Sequence, residues 1–292
     1  MTMERIYIPT LGRINDQVTL NKLPKTYQKI VTLVVQQKES KQMTDLYQDM
    51  VENIMVVDDD IGIAKTRDEI CRHAGEIRFS MIDDDVVFYR RNQKYQGKDS
   101  NMDKSKRMAT RGDLKDMFED INEKMDDTTR EKGYIHLGNR RKDLPPSDKR
   151  LHDNVFFNAI HHIDGKKLND LLNDMGDESD KLWTRTKVGE DANFIFEYIT
   201  RGYENIRYDE FPAYWGCYQD GGCALFRDSE MHNSEHRKLQ EYWNQKGNFV
   251  VNRKNITPRG NIGEIEEYTH RIRNARRYYL NISGEKHERI NT

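Results

Sequence analysis

The stretch Glu76-Ile77-Arg78-Phe79-Ser80-Met81-Ile82-Asp83-Asp84-Asp85 decides the fold, because a strand-like run ends abruptly in three carboxylates. The apolar residues predict a buried β-strand, so the aspartates project beyond its end rather than into the sheet core. Ligands of open α/β sheets bind in the crevice beyond the carboxyl ends of the strands. Carboxylates one residue apart can hold a hard cation such as Mg2+ or Mn2+. A solvated acidic turn or helix cap is the plain alternative.

Strand and helix signals alternate through the first hundred residues. This alternation predicts βαβ units and a parallel sheet. The predicted strands are Arg5–Ile8, Ile30–Val35, Asn53–Val57 and Glu76–Ile82. The predicted helices are Gln17–Thr26, Met43–Met50 and Ile63–Gly75.

The rest of the chain is more irregular. Two polar excursions, Arg90–Arg111 and Gly138–Lys149, predict long loops. Helices are predicted at Leu114–Met125, Phe194–Ile199 and His270–Tyr279, a strand at Asn205–Tyr208, and apolar patterning returns at Val155–Ile163. We expect a single catalytic domain over residues 1–292, divided into a nucleotide-sugar-binding half (1–100), polar excursions (101–150), an acceptor-side half (151–250) and a basic C-terminal helix (251–292).

Composition excludes several classes of protein. Charged residues make up 34% and aromatic residues 10% of the 292 residues, so the chain is polar but not disordered. The formal net charge of -2 means that nucleic-acid binding must rely on local basic patches. Three unevenly spaced cysteines argue against a disulfide framework and favour a reducing cytosol. The opening residues do not look like a signal peptide, and no apolar run reaches the ~20 residues of a membrane span. We expect a soluble, cytoplasmic protein with no membrane partner.

The run Gly62-Ile63-Ala64-Lys65-Thr66-Arg67-Asp68, followed by the strand that ends in Asp83-Asp84-Asp85, resembles the core of GT-A-type glycosyltransferases. Those enzymes pair such a helix start with a strand ending in an Asp-x-Asp (DXD) motif. The resemblance implies an α/β fold with a GT-A-like, Rossmann-type central sheet flanked by helices, and a more irregular acceptor-side half. It also implies a nucleotide-sugar donor, expected to be a UDP-sugar, and a Mn2+ or Mg2+ ion.

By the same resemblance, the donor lies against the end of the first strand and the acidic turn. Arg67 would lie near the donor phosphates, Asp83 would reach the ribose or the metal, and Asp85 would be the main metal ligand. The implied donor-binding residues are Pro9, Thr10, Arg13, Arg67, Asp83 and Asp84. A rival turn, Asp58-Asp59-Asp60, precedes the Arg67 helix, which is the wrong order for the motif, and is assigned to a donor-proximal loop or to plain solvated caps.

A second acidic step, Gly189-Glu190-Asp191, opens a helix. Acidic residues are favoured at helix N-termini by the helix dipole alone, which is the plain explanation. GT-A enzymes carry a similar step, and in inverting members that residue removes the proton of the acceptor hydroxyl. The resemblance therefore implies Asp191 as general base with Glu190 as substitute. In retaining members the same residue binds the acceptor.

Histidines offer further metal ligands. Many GT-A folds supply a late histidine to the metal, which implies His232, with His236 next, and tilts the preference towards Mn2+. A surface histidine beside a helix start is the plain alternative. The adjacent pair His161-His162 would point to opposite faces of a strand, so we do not expect the two to share an ion.

Two basic regions flank the expected cleft. Their arginines and lysines could neutralise DNA phosphates and their aromatic residues could support an extruded base, although a solvated charged surface explains them equally well. The candidate nucleic-acid-binding residues are Arg90, Arg91, Lys94, Lys106, Arg107, Arg273, Arg276 and Arg277.

The overall layout also resembles the compact glycosyltransferases of bacteriophages that decorate hydroxymethylated pyrimidines, such as hydroxymethylcytosine, in phage DNA. This resemblance implies double-stranded DNA with modified bases as acceptor, and the host cytoplasm as location if the chain is phage-encoded. Glucose and arabinose are both candidate sugars, and no oligomeric state is implied. The alternatives are a GT-A enzyme acting on a polysaccharide, lipid-linked sugar or protein, a nucleotidyltransferase or metal-dependent nuclease, and a non-catalytic DNA-binding module.

Overall fold

The computed structural model describes residues 3–92, 105–127, 129, 132–144, 151–216, 228–259 and 263–284. Four parallel strands form the first part of the sheet, as the uninterrupted apolar runs predict. These strands are β1 (Arg5–Pro9), β2 (Val31–Gln36), β3 (Asn53–Val57) and β4 (Arg78–Ile82). The helices between them are α1 (Val18–Lys22), α2 (Lys25–Gln28), α3 (Gln37–Tyr47) and α4 (Gly62–Ala74).

The remaining strands extend the same sheet and add a hairpin. They are β5 (Val87–Arg91), β6 (Lys106–Met108), β7 (Tyr134–Arg141), β8 (Leu151–Asp153), β9 (Ile160–Asp164), β10 (Glu204–Tyr214), β11 (Val250–Arg259) and β12 (Gly263–His270). The helices are α5 (Arg111–Met125), α6 (Gly165–Met175), α7 (Lys181–Thr184), α8 (Glu190–Ile199), α9 (Ser229–Asn244) and α10 (Ile272–Ser283).

The order of strands in the large sheet places β4 beside its functional neighbours. The order is β3-β2-β1-β4-β9-β7-β10-β5-β6, with β8 paired to β10, and β11-β12 form a separate two-stranded sheet. Strand β9 runs antiparallel to both β4 and β7, whereas β10 is parallel to β7. The carboxyl ends of β1, β4, β7 and β10 therefore lie along one edge. This arrangement confirms the predicted α/β class with a GT-A-like central sheet.

Separate apolar clusters cover the two faces of the sheet. Ile6 and Ile8 of β1 lie in one cluster, together with Phe118 of α5. Tyr7, between them, lies in the other cluster, together with Phe194 of α8. Successive strand residues face opposite sides, so β1 is buried on both faces.

The chain beyond residue 228 packs on α8. Trp243 of α9 donates its indole N–H to Asn193 Oδ1 at 3.0 Å, and Arg276 of α10 bonds Glu204 at 2.8 Å. Tyr279 lies directly over Gly202, where an added Cβ would come within 2.4 Å of its ring. All residues of α8 except Asp191 are buried.

Parts of the two predicted loops form strands. The predicted loop at 90–111 contains the end of β5 and all of β6, and the excursion at 138–149 begins inside β7. Strands β11 and β12 form an antiparallel pair in a part of the chain that the sequence analysis grouped with the basic C-terminal helix. Helix α6 was missed. The charged end of β5 resembles a loop in sequence, but Arg90 forms ion pairs and Arg91 bonds a backbone carbonyl within the fold.

Among the helices that the structure describes, none combines the length and apolar character needed to cross a bilayer.

Buried neutral histidines predict acid sensitivity. Burial lowers the pKa of His162 to about 3, while its ring bonds Ser80 Oγ at 2.7 Å and Asn139 Oδ1 at 3.0 Å. A group whose pKa is lowered on folding stabilises the protein above its unfolded pKa of ~6.5, and each such group loses up to about 1.4 kcal/mol per pH unit below it. In urea unfolding, the advantage of the wild type over His162→Gln should therefore shrink from about pH 7 to about pH 4. An advantage independent of pH would contradict this account.

Candidate active site

Five carboxylates from two distant parts of the chain meet at the carboxyl end of β4. Asp83, Asp84 and Asp85 follow this strand directly, and Asp83 N–H still bonds the carbonyl of Ala159 at 3.0 Å, which continues the β4–β9 pairing. The other two carboxylates, at residues 190 and 191, open α8 after a glycine with a left-handed backbone. The two acidic motifs of the sequence therefore belong to one site.

Arg67 joins the two motifs. This arginine of α4 is 3% exposed, and its guanidinium contacts Asp191 and Glu190, the latter at 2.9 Å. Its other terminal nitrogen lies 3.5 Å from Asp83 Oδ1. The guanidinium also lies 5.5 Å from the centre of the Trp183 ring. Because one buried cation contacts both motifs, Arg67 fixes their relative position.

A second arginine organises the other side of the acidic turn. Arg13, in the loop after β1, contacts Asp84 directly and lies 3.2 Å from Asp85 Oδ2. Asp84 is buried and also accepts a hydrogen bond from Thr10 Oγ1 at 2.7 Å. Asp85 Oδ2 accepts from the backbone N–H of Gly216 at 3.1 Å. The end of β1 therefore lies beside the acidic turn, as the resemblance implied for Thr10 and Arg13, while Pro9 is the last residue of β1.

Negative charge dominates this cluster, since five carboxylates contact two guanidinium groups. Burial, opposed by the charge of Arg67, raises the pKa of Asp83 to about 7, and the carboxylates of Asp85 and Asp191 act in the same direction as burial. Burial also raises the pKa of Asp84 to about 6, against the charge of Arg13. An electrostatic environment of this kind favours a bound cation.

The complete predicted ligand set does not form a preassembled metal site. Among the described residues, no group of three or more His, Cys, Asp or Glu side chains is arranged to hold a metal ion. His232 is buried on α9, where its ring packs against His236 with centroids 4.4 Å apart. Asp83 and Asp85 both lie in the acidic cluster, so a metal there would need further oxygens from a ligand. The metal role of Asp83, Asp85 and His232 stays a prediction.

His161 lies in the site although the sequence gave little reason to place it there. It is fully buried on β9, and its Nε2 lies 3.1 Å from Asp191 Oδ1. The neighbouring His162 bonds Ser80 and Asn139 instead. The two histidines therefore have different protein partners. The only usable signal was the strand alternation, which assigns one of them to each face.

The rival turn at residues 58–60 is exposed. The backbone N–H of Lys38 bonds Asp59 at 3.0 Å, and Lys38 Nζ bonds Asp60 at 2.8 Å. These contacts with the start of α3 fit the plain explanation of a solvated turn.

Three of the candidate nucleic-acid-binding residues form ion pairs within the protein. Arg90 bonds Glu210 at 2.7 Å, and Arg107 forms two hydrogen bonds with the carboxylate of Asp113. Arg276 bonds Glu204, as described above. Their positive charge is therefore largely neutralised within the fold.

The other candidates differ in their surroundings. Arg91 donates to the carbonyl of Asp209 at 2.8 Å, and Lys106 donates to the carbonyl of Lys142 at 2.5 Å. Arg273 and Arg277 are exposed on α10. Lys94 lies outside the described residues.

A family model described as TET-associated glycosyltransferase matches residues 4–216, which include β1, Arg67, the acidic turn and α8. This chain belongs to that family. It is therefore a glycosyltransferase, and the match confirms the resemblance to enzymes that glycosylate DNA bases.

Two solved structures are also similar to this glycosyltransferase. The apo-form glycosyltransferase GlyE of Streptococcus pneumoniae TIGR4 shares 16% identity over 70% of this chain and 45% of that one, with a TM-score of 0.35. The chain thus spans less than half the length of GlyE. The inositol-1-phosphate CTP transferase of T. maritima shares 14% identity over 82% of this chain and 98% of that one, with a TM-score of 0.38. No curated protein sequence matches the chain.

The pKa of Asp83 predicts how stability depends on pH without added metal. A carboxyl whose pKa rises on folding from about 3.8 to about 7 stabilises the fold at low pH, and this contribution is lost as the pH rises through about 7. Thermal unfolding in chelator should show the wild type losing stability relative to Asp83→Asn between about pH 4 and about pH 8.

Added Mn2+ should restore the thermal stability of the wild type at high pH, but it should not stabilise Asp83→Asn. The matched control is Asp59→Asn in the rival turn, which should respond to Mn2+ as the wild type does. An equal response of the Asp83 and Asp59 variants would show that Asp83 does not meet the ion.

Proposed function

We propose that this glycosyltransferase uses a divalent ion to transfer a sugar from a nucleotide sugar to the hydroxymethyl group of a modified pyrimidine in DNA. The observation that carries the proposal is the Arg67 cluster, which holds the donor-side Asp83 and the acceptor-side Asp191 around one guanidinium. Donor and acceptor chemistry therefore share a single site. Family membership supports the reaction class and the kind of acceptor.

The residues of the acidic turn fit a hard divalent ion. Asp83 and Asp85 offer carboxylate oxygens in a cluster with excess negative charge, and Mg2+ and Mn2+ prefer oxygen ligands. The bound ion would supply electrophilic stabilisation of a departing nucleoside diphosphate. Since two carboxylates do not complete a coordination shell, donor diphosphate oxygens are the natural additional ligands. On this proposal the loop after β1, with Thr10 and Arg13, would bind the nucleotide, expected to be UDP.

The residues of the chain would act on the acceptor as follows. Asp191 accepts the proton of the acceptor hydroxyl, whose oxygen forms a bond to the anomeric carbon of the sugar. The bond from that carbon to the diphosphate oxygen breaks, and the nucleoside diphosphate leaves with the bonding electrons. Arg67 holds the Asp191 carboxylate for this step, and Glu190 in turn bonds the Arg67 guanidinium. This sequence of events inverts the anomeric configuration.

A basic and aromatic surface beside the acidic turn supports DNA as acceptor. Lys142, at the end of β7, lies 4.4 Å from the ring centre of Tyr89 and 5.0 Å from that of Tyr214. Tyr214 is exposed at the end of β10, two residues before the Gly216 N–H that bonds Asp85. Among the described residues, no carboxylate lies within ion-pair distance of Lys142. A cation between tyrosine rings suits a phosphate next to a stacked base.

The proposed function is tested by incubating the protein with Mn2+, a panel of UDP-sugars and duplex DNA that contains 5-hydroxymethylcytosine. We expect a mass increase of one sugar on the modified base and none on unmodified DNA. Asp191→Asn should lower kcat by at least ~100-fold, because it removes the base while keeping the shape. Transfer only to a polysaccharide, lipid-linked or protein acceptor would overturn the DNA proposal but not the reaction class.

The surface around Lys142 predicts a separate effect on the acceptor. Lys142→Ala and Tyr214→Ala should each raise KM for DNA by about tenfold, since a phosphate contact or a stacked base is worth ~1–3 kcal/mol. The donor KM should not change. Lys115→Ala, at an exposed lysine of α5, is the matched control. If all three variants show the same DNA KM as the wild type, DNA does not bind at this surface.

A further inference from the structure

Four buried side chains connect Asp191 to the interior of the sheet. They come from four different elements, and we refer to them as the histidine chain. Its members are Asn205 of β10, Tyr198 of α8, His136 of β7 and His161 of β9. All four are fully buried. The chain therefore communicates with the site without contact with solvent.

The direction of this chain is set at Asn205. The backbone N–H of Val155 can only donate, and it bonds Asn205 Oδ1 at 3.0 Å. This contact assigns the oxygen of the amide, so Nδ2 donates to the carbonyl of Val155 at 3.0 Å and to the Tyr198 hydroxyl oxygen at 2.5 Å. Tyr198 therefore accepts at this end and must direct its own proton elsewhere.

The tyrosine proton then determines both imidazole tautomers. The Tyr198 hydroxyl lies 3.1 Å from His136 Nδ1, so it donates there, and His136 carries its hydrogen on Nε2. His136 Nε2 lies 3.0 Å from His161 Nδ1 and donates to it. A neutral imidazole has one N–H, so the hydrogen of His161 is left on Nε2. This is the atom 3.1 Å from Asp191 Oδ1.

The surroundings keep both imidazoles neutral. Burial holds the pKa of His136 and of His161 well below the usual range, and Arg67 adds to this effect. The ring of Phe157 lies 4.5 Å from that of His136, and Gly138 gives it room, since an added Cβ there would lie 2.1 Å from Phe157. Reversing the chain would make the Tyr198 oxygen accept from both neighbours and leave its own O–H buried without either of them as acceptor.

We propose that the histidine chain fixes His161 as an N–H donor towards Asp191, so that His161 is a positioning residue for the general base and not itself the base. This inference rests on the proposed role of Asp191. Arg67 already donates to the same Oδ1, and His161 is the second donor facing it. His161 Nε2 is within hydrogen-bond distance of Asp191 but makes no well-aligned hydrogen bond with the described residues, so the contact still requires alignment. Such alignment commonly occurs when the reacting complex forms.

The tautomers are directly measurable by 15N NMR of histidine in the intact protein. We expect His136 and His161 to be neutral, with the hydrogen on Nε2 in both. This measurement needs neither substrate nor a variant, so it does not depend on the reaction. A hydrogen on Nδ1 of His161 would overturn the proposal even if the enzyme glycosylates DNA.

Tyr198→Phe tests the catalytic consequence, because it removes the hydroxyl and keeps the ring. We expect this variant to lower kcat by about tenfold or more, because it loses part of the rate enhancement that a positioned general base supplies. The KM for the donor should not change. Tyr203→Phe, at another buried tyrosine beside α8, is the matched control. A Tyr198→Phe enzyme with wild-type kcat would contradict the role of the chain.

Two variants of His161 distinguish hydrogen-bond donation to Asp191 from a packing role of the side chain. His161→Gln can still present an N–H towards Asp191 and should retain more kcat than His161→Leu, which cannot. Equal losses in these two variants would argue that His161 acts only through its volume. If neither the wild type nor any variant transfers a sugar, the proposed function fails, while the tautomers remain a test of the chain.

Discussion

The structure depends on one buried cation, the guanidinium of Arg67, which three separate carboxylates contact. Asp83 comes from the end of β4, whereas Glu190 and Asp191 come from the start of α8, more than a hundred residues later. Each of these charges would be costly to bury alone. Together they form a network in which removal of the guanidinium would leave three carboxylates without its compensating charge. The position of α8 relative to the sheet is therefore an electrostatic requirement as much as a packing result.

The topology of the sheet explains why this network can exist. The pairing of β4 with β9, and of β9 with β7, brings His161 beside the acidic turn and His136 behind it. The two apolar faces exclude water from these strands, which strengthens every polar contact between them. The site thus combines a partly buried, negatively charged edge with a dry interior of ordered hydrogen bonds. The edge suits a charged donor, and the interior suits the precise orientation of a base.

The sequence predicted the parallel strands and the acidic turn because both have local signatures. A doubly buried strand is an uninterrupted apolar run, and the carboxylates follow it directly. The role of His161 could not be predicted in this way, because it depends on antiparallel pairing between β4 and β9, some eighty residues apart. The end of strand β5 was mistaken for a loop because Arg90 looks solvated in sequence, whereas in the fold it bonds Glu210. Long-range ion pairs hide such residues from local patterns.

The covering of α8 by the C-terminal elements has a consequence for the boundaries of the enzyme. The family match ends at residue 216, but Trp243 and Tyr279 pack on α8 or on the turn that follows it. A fragment that ends at the family boundary would expose one face of α8 to solvent. The first residues of this helix, Glu190 and Asp191, would then be held less rigidly. The reacting groups and their scaffold thus lie in different parts of the polypeptide. Related enzymes could cover α8 with an unrelated sequence, provided that this sequence buries the same apolar surface.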